Sequence, residues 1–120
     1  MNEFDRTRLL DMLDEACSLQ LALAGKTRPD LDDYLVANGV RHAIALIGEA
    51  ASQVTAETRQ QYPEIDWKDI IGMRNFVIHH YHRVSLDVVW DTATHSIPIL
   101  IEQLESILPD SGTDLSQPLS

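Results

Sequence analysis

At 120 residues the chain has room for one domain with its own core and too little for two ordinary ones. Nine Lys and Arg stand against 19 Asp and Glu, a formal charge of −10, which excludes general electrostatic attraction to nucleic acid or anionic membrane and makes any phosphate-binding role a local one. Cys17 is the single cysteine, so no internal disulfide can form and a reducing, cytoplasmic setting is expected. Cys17 itself reads as a buried small apolar residue.

The N-terminal Met-Asn-Glu-Phe-Asp-Arg lacks the basic region and apolar run of a signal peptide, and apolar runs such as Ala43 to Ile47 are too short to span a bilayer. No membrane association is expected. Apolar residues at Phe4, Leu9, Leu10, Leu13, Ala16, Cys17, Leu21 and Ala24 recur at helical spacing, with Gly25 as a natural stop. After the break at Thr27-Arg28-Pro29-Asp30, a second long helical segment is marked by Leu31, Tyr34, Leu35, Ala43, Ile44, Ile47 and Ala51, with a loosening expected at Asn38-Gly39. Its run of small residues, Ala43, Ala45, Gly48, Ala50 and Ala51, would let another helix approach closely and reads most simply as tight core packing.

A short helix is expected from Val54 to about Gln60, before Pro63. Asp66 reads as the N-cap of a helix from Trp67 to about Tyr81, with Ile70, Met73 and Val77 as its buried stripe. Ser85 reads as the N-cap of a last helix from Leu86 to about Leu108, kinked by Pro98, whose missing N–H and bulky ring disturb the preceding turn. Residues 109–120 are polar, with Pro109, Gly112 and Pro118, and read as a flexible tail beyond a domain of residues 1–108. Four long helices, a short extra one and no convincing strand alternation give an all-α, up-and-down four-helix bundle.

The stretch Arg74-Asn75-Phe76-Val77-Ile78-His79-His80-Tyr81 gathers a permanent cation, an imidazole and a phenol in an otherwise acidic chain. Arginine's planar fork matches phosphate oxygens, and histidine moves protons near neutral pH. On an ideal helix Arg74, Ile78 and Tyr81 share one stripe and Asn75, His79 and His82 the next, so Arg74 and His79 stand about 140° apart. A joint site then needs long side chains meeting at a cleft, a helix that ends near His80, or a second copy of the motif across a dimer. Asn75, one turn before His79, could orient its ring. The same residues also fit a bland reading, with Arg74 paired to a carboxylate and the histidines on a solvated helix end.

No metal or cofactor is expected. Bundle-type di-iron sites use Glu-x-x-His pairs, and no Glu here has a His three residues later; a thiolate zinc site would need a second cysteine. Glycine-rich dinucleotide, phosphate-loop and nucleophile-elbow signatures are absent from the sequence.

The stretch Trp67-Lys68-Asp69-Ile70-Ile71-Gly72-Met73-Arg74-Asn75, followed by His79 and Tyr81, resembles the HEPN superfamily, in particular its HepT-like toxin branch. Ile47-Gly48-Glu49-Ala50-Ala51 is similar to that branch's second-helix signature, and Leu86-Asp87-Val88-Val89-Trp90 with Ile97-Pro98 to its final helix. The likeness spans roughly residues 5 to 108.

That resemblance implies a HEPN-like bundle acting as a homodimer. It implies the toxin of a HEPN/MNT toxin–antitoxin system, a metal-independent endoribonuclease that cleaves its RNA substrate with the ribose 2′-hydroxyl as nucleophile. Arg74 and His79 would be catalytic, with Asn75 supporting them. Tyr81 would be the site of AMPylation by a nucleotidyltransferase antitoxin of the MNT type. His80 stands where the family often has an acidic residue; with His82 and Arg83 it suggests RNA contact. The alternative is a non-catalytic HEPN module that docks a minimal nucleotidyltransferase.

Overall fold

The computed structural model describes residues 1–80 and 85–108, and among these it contains helices and no strand. Helix α1 spans Glu3–Leu23, α2 Tyr34–Gln53, α3 Ala56–Gln61, α4 Trp67–His79, α5 Leu86–Asp91 and α6 Ile97–Ile107. The fold is all-α, as the periodicity predicts. The expected tail at 109–120 lies outside the described residues.

Local chemistry sets the helix ends. The Asn2 side chain accepts from Asp5 N to start α1, and Gly25 follows α1 with φ +80°, a left-handed conformation that costs glycine nothing. Asp33 starts α2 by accepting from Leu35 N and Val36 N, Asp66 starts α4 by accepting from Asp69 N, and Ser85 starts α5 by accepting from Asp87 N. The expected caps at Asp66 and Ser85 are therefore in place. A single turn of 3₁₀ helix at Arg28–Asp32, closed by Thr27 and Asp30, separates α2 from the preceding break, so Leu31 lies outside α2.

The expected loosening at Asn38-Gly39 does not occur. Helix α2 runs unbroken from Tyr34 to Gln53, because the buried stripe Ala37, Val40, Ala43, Ile44, Ile47 and Ala51 continues through that point. Packing outweighs the low helix propensity of a single glycine. Phe4 and Leu21 are also corrected as core residues: they are 54% and 77% exposed. Leu21 falls on the far side of α1 from Leu9, Met12, Ala16 and Leu19, and Phe4 lies beneath the Arg8 guanidinium at 5.3 Å. Tyr34, Leu35 and Val88 are exposed as well. Cys17 is half-buried rather than fully buried.

Helix α2 is the middle of the structure, packing on α1 along one side and on α4 along the other, while α6 packs on α1. Leu9, Met12 and Ala16 of α1, Ile44 and Ile47 of α2, Val77 of α4 and Leu100 and Leu104 of α6 share one core. The final helix carries one wide π turn at Thr92–Ser96, where Ile97 N reaches back to Thr92 O. Pro98 follows in the first turn of α6. The π turn therefore stands just before Pro98, whose missing N–H and ring disfavour a regular α-helical turn there.

A buried polar link ties the two ends of the α1–α2 hairpin. Asp5, with no exposed surface, accepts from Thr55 N at 3.0 Å, Thr55 Oγ1 at 2.5 Å and Thr58 Oγ1 at 2.6 Å. Thr55 is in turn the N-cap of α3. One carboxylate therefore fixes where α3 begins relative to α1.

Candidate active site on helices α2 and α4

Helix α4 carries Arg74, Asn75 and His79. Its buried residues Trp67 and Val77 turn one face inward, and Arg74 lies beside that face against α2, with 27% of its side chain exposed. The place for Arg74 is made by Gly48 of α2. A Cβ at Gly48 would lie 2.1 Å from the Arg74 Cβ and 2.9 Å from the Ile70 carbonyl oxygen, so the two helices approach at a distance open only to glycine.

The next residue, Glu49, supplies the partner. Arg74 Nη2 donates to Glu49 Oε2 in a short ion pair, and Arg74 Nη1 donates to Asn75 Oδ1 at 2.6 Å. Arg74 Nε is buried and has no hydrogen-bond partner among the described residues. Hydrogen bonds from Gln53 and then Arg74, reinforced by the guanidinium charge, hold the Glu49 carboxyl below the usual range, so it is a carboxylate opposite the arginine.

His79 is the last residue of α4 and is exposed; His80 caps the helix, its N–H donating to Phe76 O at 2.9 Å. Among the described residues no hydrogen bond joins His79 to Arg74 or Asn75. The Asn75 oxygen is instead turned to the arginine. The His80 ring lies tilted against the Phe76 ring, with centroids 5.0 Å apart. Tyr81, His82 and Arg83 lie outside the described residues.

The structure thus brings Arg74 and Asn75 together and places His79 one turn beyond Asn75, as the last residue of α4. Reading the sequence missed Glu49 and Gln53. The available signal was the Gly48-Glu49 pair inside the run of small residues, which places an acid beside the point of closest approach to α4.

A groove of about 820 Å³ opens elsewhere, between α4 and the final helix, lined by Ile70, Met73, Phe76, Ile97 and Leu100 over Ile47. Arg74, Asn75 and His79 do not line it. Asn75 and His79 are exposed, and Arg74 is half-buried against α2. Among the described residues no three His, Cys, Asp or Glu side chains converge to hold a metal ion, and no helix is long and apolar enough to cross a membrane.

Comparison with known proteins gives a coherent picture. The family model described as "Ribonuclease HepT-like" matches residues 10–107. A protein of Methanocaldococcus jannaschii, provisionally named an RNase, is 32% identical over 85 residues, covering 68% of this chain and 73% of its own. Another provisionally named RNase, from Caldanaerobacter subterraneus subsp. tengcongensis, is 33% identical over 76 residues, 63% of this chain and 68% of its own. A protein of Thermococcus cleftensis named "Probable ribonuclease HepT" is 34% identical over 68 residues, 57% of this chain and 62% of its own. No solved structure matches.

Proposed function

The chain belongs to the ribonuclease HepT-like family, and from that membership we propose that it is a cytoplasmic, metal-independent endoribonuclease, the toxin of a HEPN/MNT pair. The observation that carries this reading is Arg74, held by Glu49 and Asn75, with His79 one turn beyond Asn75 on α4. An anchored cation and an exposed imidazole are the groups that transesterification of RNA uses.

In this reaction the ribose 2′-oxygen forms a bond to phosphorus and the 5′-oxygen bond breaks, leaving a 2′,3′-cyclic phosphate and a free 5′-hydroxyl. The negative charge that builds on the non-bridging oxygens is met by Arg74. His79 takes the 2′-hydroxyl proton or gives one to the departing 5′-oxygen. A homodimer with two motifs at one cleft supplies an imidazole for each transfer, and it relieves the separation of about 140° between Arg74 and His79 on one helix.

Silencing is proposed to act on Tyr81. A nucleotidyltransferase antitoxin would join the tyrosine oxygen to the α-phosphorus of ATP, releasing pyrophosphate. The added negative charge and bulk would repel the RNA backbone and compete with it for Arg74. His82 and Arg83, with His80, are proposed to contact RNA phosphates, acting locally because screening at physiological salt reaches about 8 Å. A Tyr81→Phe protein should escape the cognate transferase; normal silencing of that variant would remove the modification from the scheme.

The decisive test is cleavage of total and transfer RNA by the purified protein in EDTA, beside His79→Ala, with product ends analysed. Cutting that leaves 2′,3′-cyclic ends and vanishes in the variant is the expected result. Equal background cutting by both proteins, with unmodified Tyr81 established by mass, would leave a binding module that docks a nucleotidyltransferase.

A further inference from the structure

The ion pair between Glu49 and Arg74 is one link in a longer polar chain. Glu49 Oε1 accepts from Gln53 Nε2 at 3.2 Å, Gln53 Oε1 accepts from Arg8 Nη1 at 3.0 Å, and Arg8 Nη2 meets Asp11 Oδ2 at 3.0 Å. Donors and acceptors alternate from α4 across α2 to α1. At the far end, the Arg8 guanidinium rests on the Phe4 ring.

We propose that Glu49 is the positioning residue of Arg74, held in register by Gln53 and Arg8, and that it aims the guanidinium at the scissile phosphate. This assignment rests on the ribonuclease reading above and names a residue through which that site works.

The donor inventory of arginine makes the role specific. A guanidinium has five N–H groups. One on Nη2 goes to Glu49, one on Nη1 to Asn75, and the one on Nε is buried. The remaining hydrogens belong to the two terminal nitrogens, one on each, so each can still donate to a phosphate oxygen. Without Glu49 the side chain is free to turn about its torsions, and the closeness of Gly48 fixes only its stem.

The carboxylate also offsets the arginine's charge, so its loss does not weaken ground-state attraction for phosphate. Its contribution lies in orientation, which appears in kcat; a lost binding contact would appear in KM.

Glu49→Gln separates these effects. The amide keeps an oxygen for Arg74 but turns an NH₂ toward the Gln53 NH₂, so two donors face each other and the chain breaks. The exchange Glu49→Gln with Gln53→Glu restores the alternation, since a carboxylate at position 53 accepts from both the amide at 49 and Arg8.

Single-turnover and steady-state cleavage in EDTA are measured for wild type, E49Q, E49Q/Q53E and H79A. We expect E49Q to lower kcat about 10-fold with KM unchanged or lower, and the double exchange to recover most of the loss. Alongside, ¹⁵N spectra of the arginine side chains, with Arg74 identified by R74K, should show separate Nη resonances in wild type and in E49Q/Q53E that merge in E49Q.

A wild-type kcat in E49Q, or a loss the double exchange does not recover, overturns the assignment. If wild type itself fails to cut RNA, the ribonuclease reading falls, and the guanidinium resonances still decide: averaged Nη signals in wild type would show that Glu49 does not hold Arg74.

Discussion

Gly48 and Arg74 meet at the closest approach of α2 to α4, where a single added methyl would stand 2.1 Å from the Arg74 Cβ. One of the atoms it would also strike is the Ile70 carbonyl oxygen, backbone that cannot swing aside. Gly48→Ala is therefore expected to destabilise the fold by about 1–3 kcal/mol, as overpacking does, and to lower cleavage by shifting Arg74. Gly39→Ala, in the same helix and with open space around it, should instead stabilise by about 1 kcal/mol through helix propensity. Urea midpoints of the two variants check the pair; equal shifts would mean that the helices do not touch at Gly48.

Arg74→Lys tests whether the planar fork or the charge alone matters. A lysine ammonium is a single point on a flexible stem and cannot span Glu49, Asn75 and two phosphate oxygens together. Cleavage should fall roughly 100-fold, comparable with removal of one transition-state donor, while the far-ultraviolet circular dichroism stays unchanged. Near wild-type turnover in this variant would show that a fixed bidentate grip is not required.

The helices were legible because their signals are local. Caps at Asp66 and Ser85, the stop at Gly25 and the apolar period of α2 are all written within a turn or two of where they act. What was not legible depends on partners distant in the chain. Asp5 looks like an ordinary acid in the first turn of a helix, and its burial is decided by Thr55 and Thr58 across the fold. Glu49 looks like a solvated charge until α4 lies beside it with Arg74. Phe4 and Leu21 matched the helical period loosely, but only the position of α2 and α6 against α1 tells which face of that helix is inside. The motif itself was readable as an order of residue types, whereas the turn of the Asn75 oxygen toward Arg74 is a property of rotamers.

The entry to α4 offers a separate test of the scaffold under the site. Trp67, 9% exposed, donates Nε1–H to Tyr62 O at 3.0 Å and so ties the start of α4 to the end of α3. Trp67→Phe removes that donor and leaves the carbonyl of Tyr62 without it. A loss of about 0.5–1.5 kcal/mol is expected from the hydrogen bond, with some further loss from the smaller ring. Thermal unfolding would register it as a lower Tm; an unchanged Tm would mean that water replaces the indole without cost.

Asp5 gives the acid limb of stability a buried source. Burial pushes its carboxyl up, but the hydrogen bonds from the Thr55 and Thr58 side chains and from Thr55 N outweigh that effect and hold it below its ordinary value. A folded-state pKa below the unfolded one means that the unfolded chain takes up the proton first as pH falls. The stabilisation is then complete above the unfolded value of about 3.9 and is lost as pH drops through the lower folded value. Asp5→Asn puts an NH₂ among three donors, so at pH 7 it should cost about 1.5–3 kcal/mol, the worth of a hydrogen bond to a charged group. The gap between wild type and Asp5→Asn should narrow below about pH 4, because only wild type still loses an ionised partner there. Denaturant titrations of both proteins at pH 7, 5, 4 and 3 measure it, and a gap that stays constant down to pH 3 would show that Asp5 is not ionised in the folded protein.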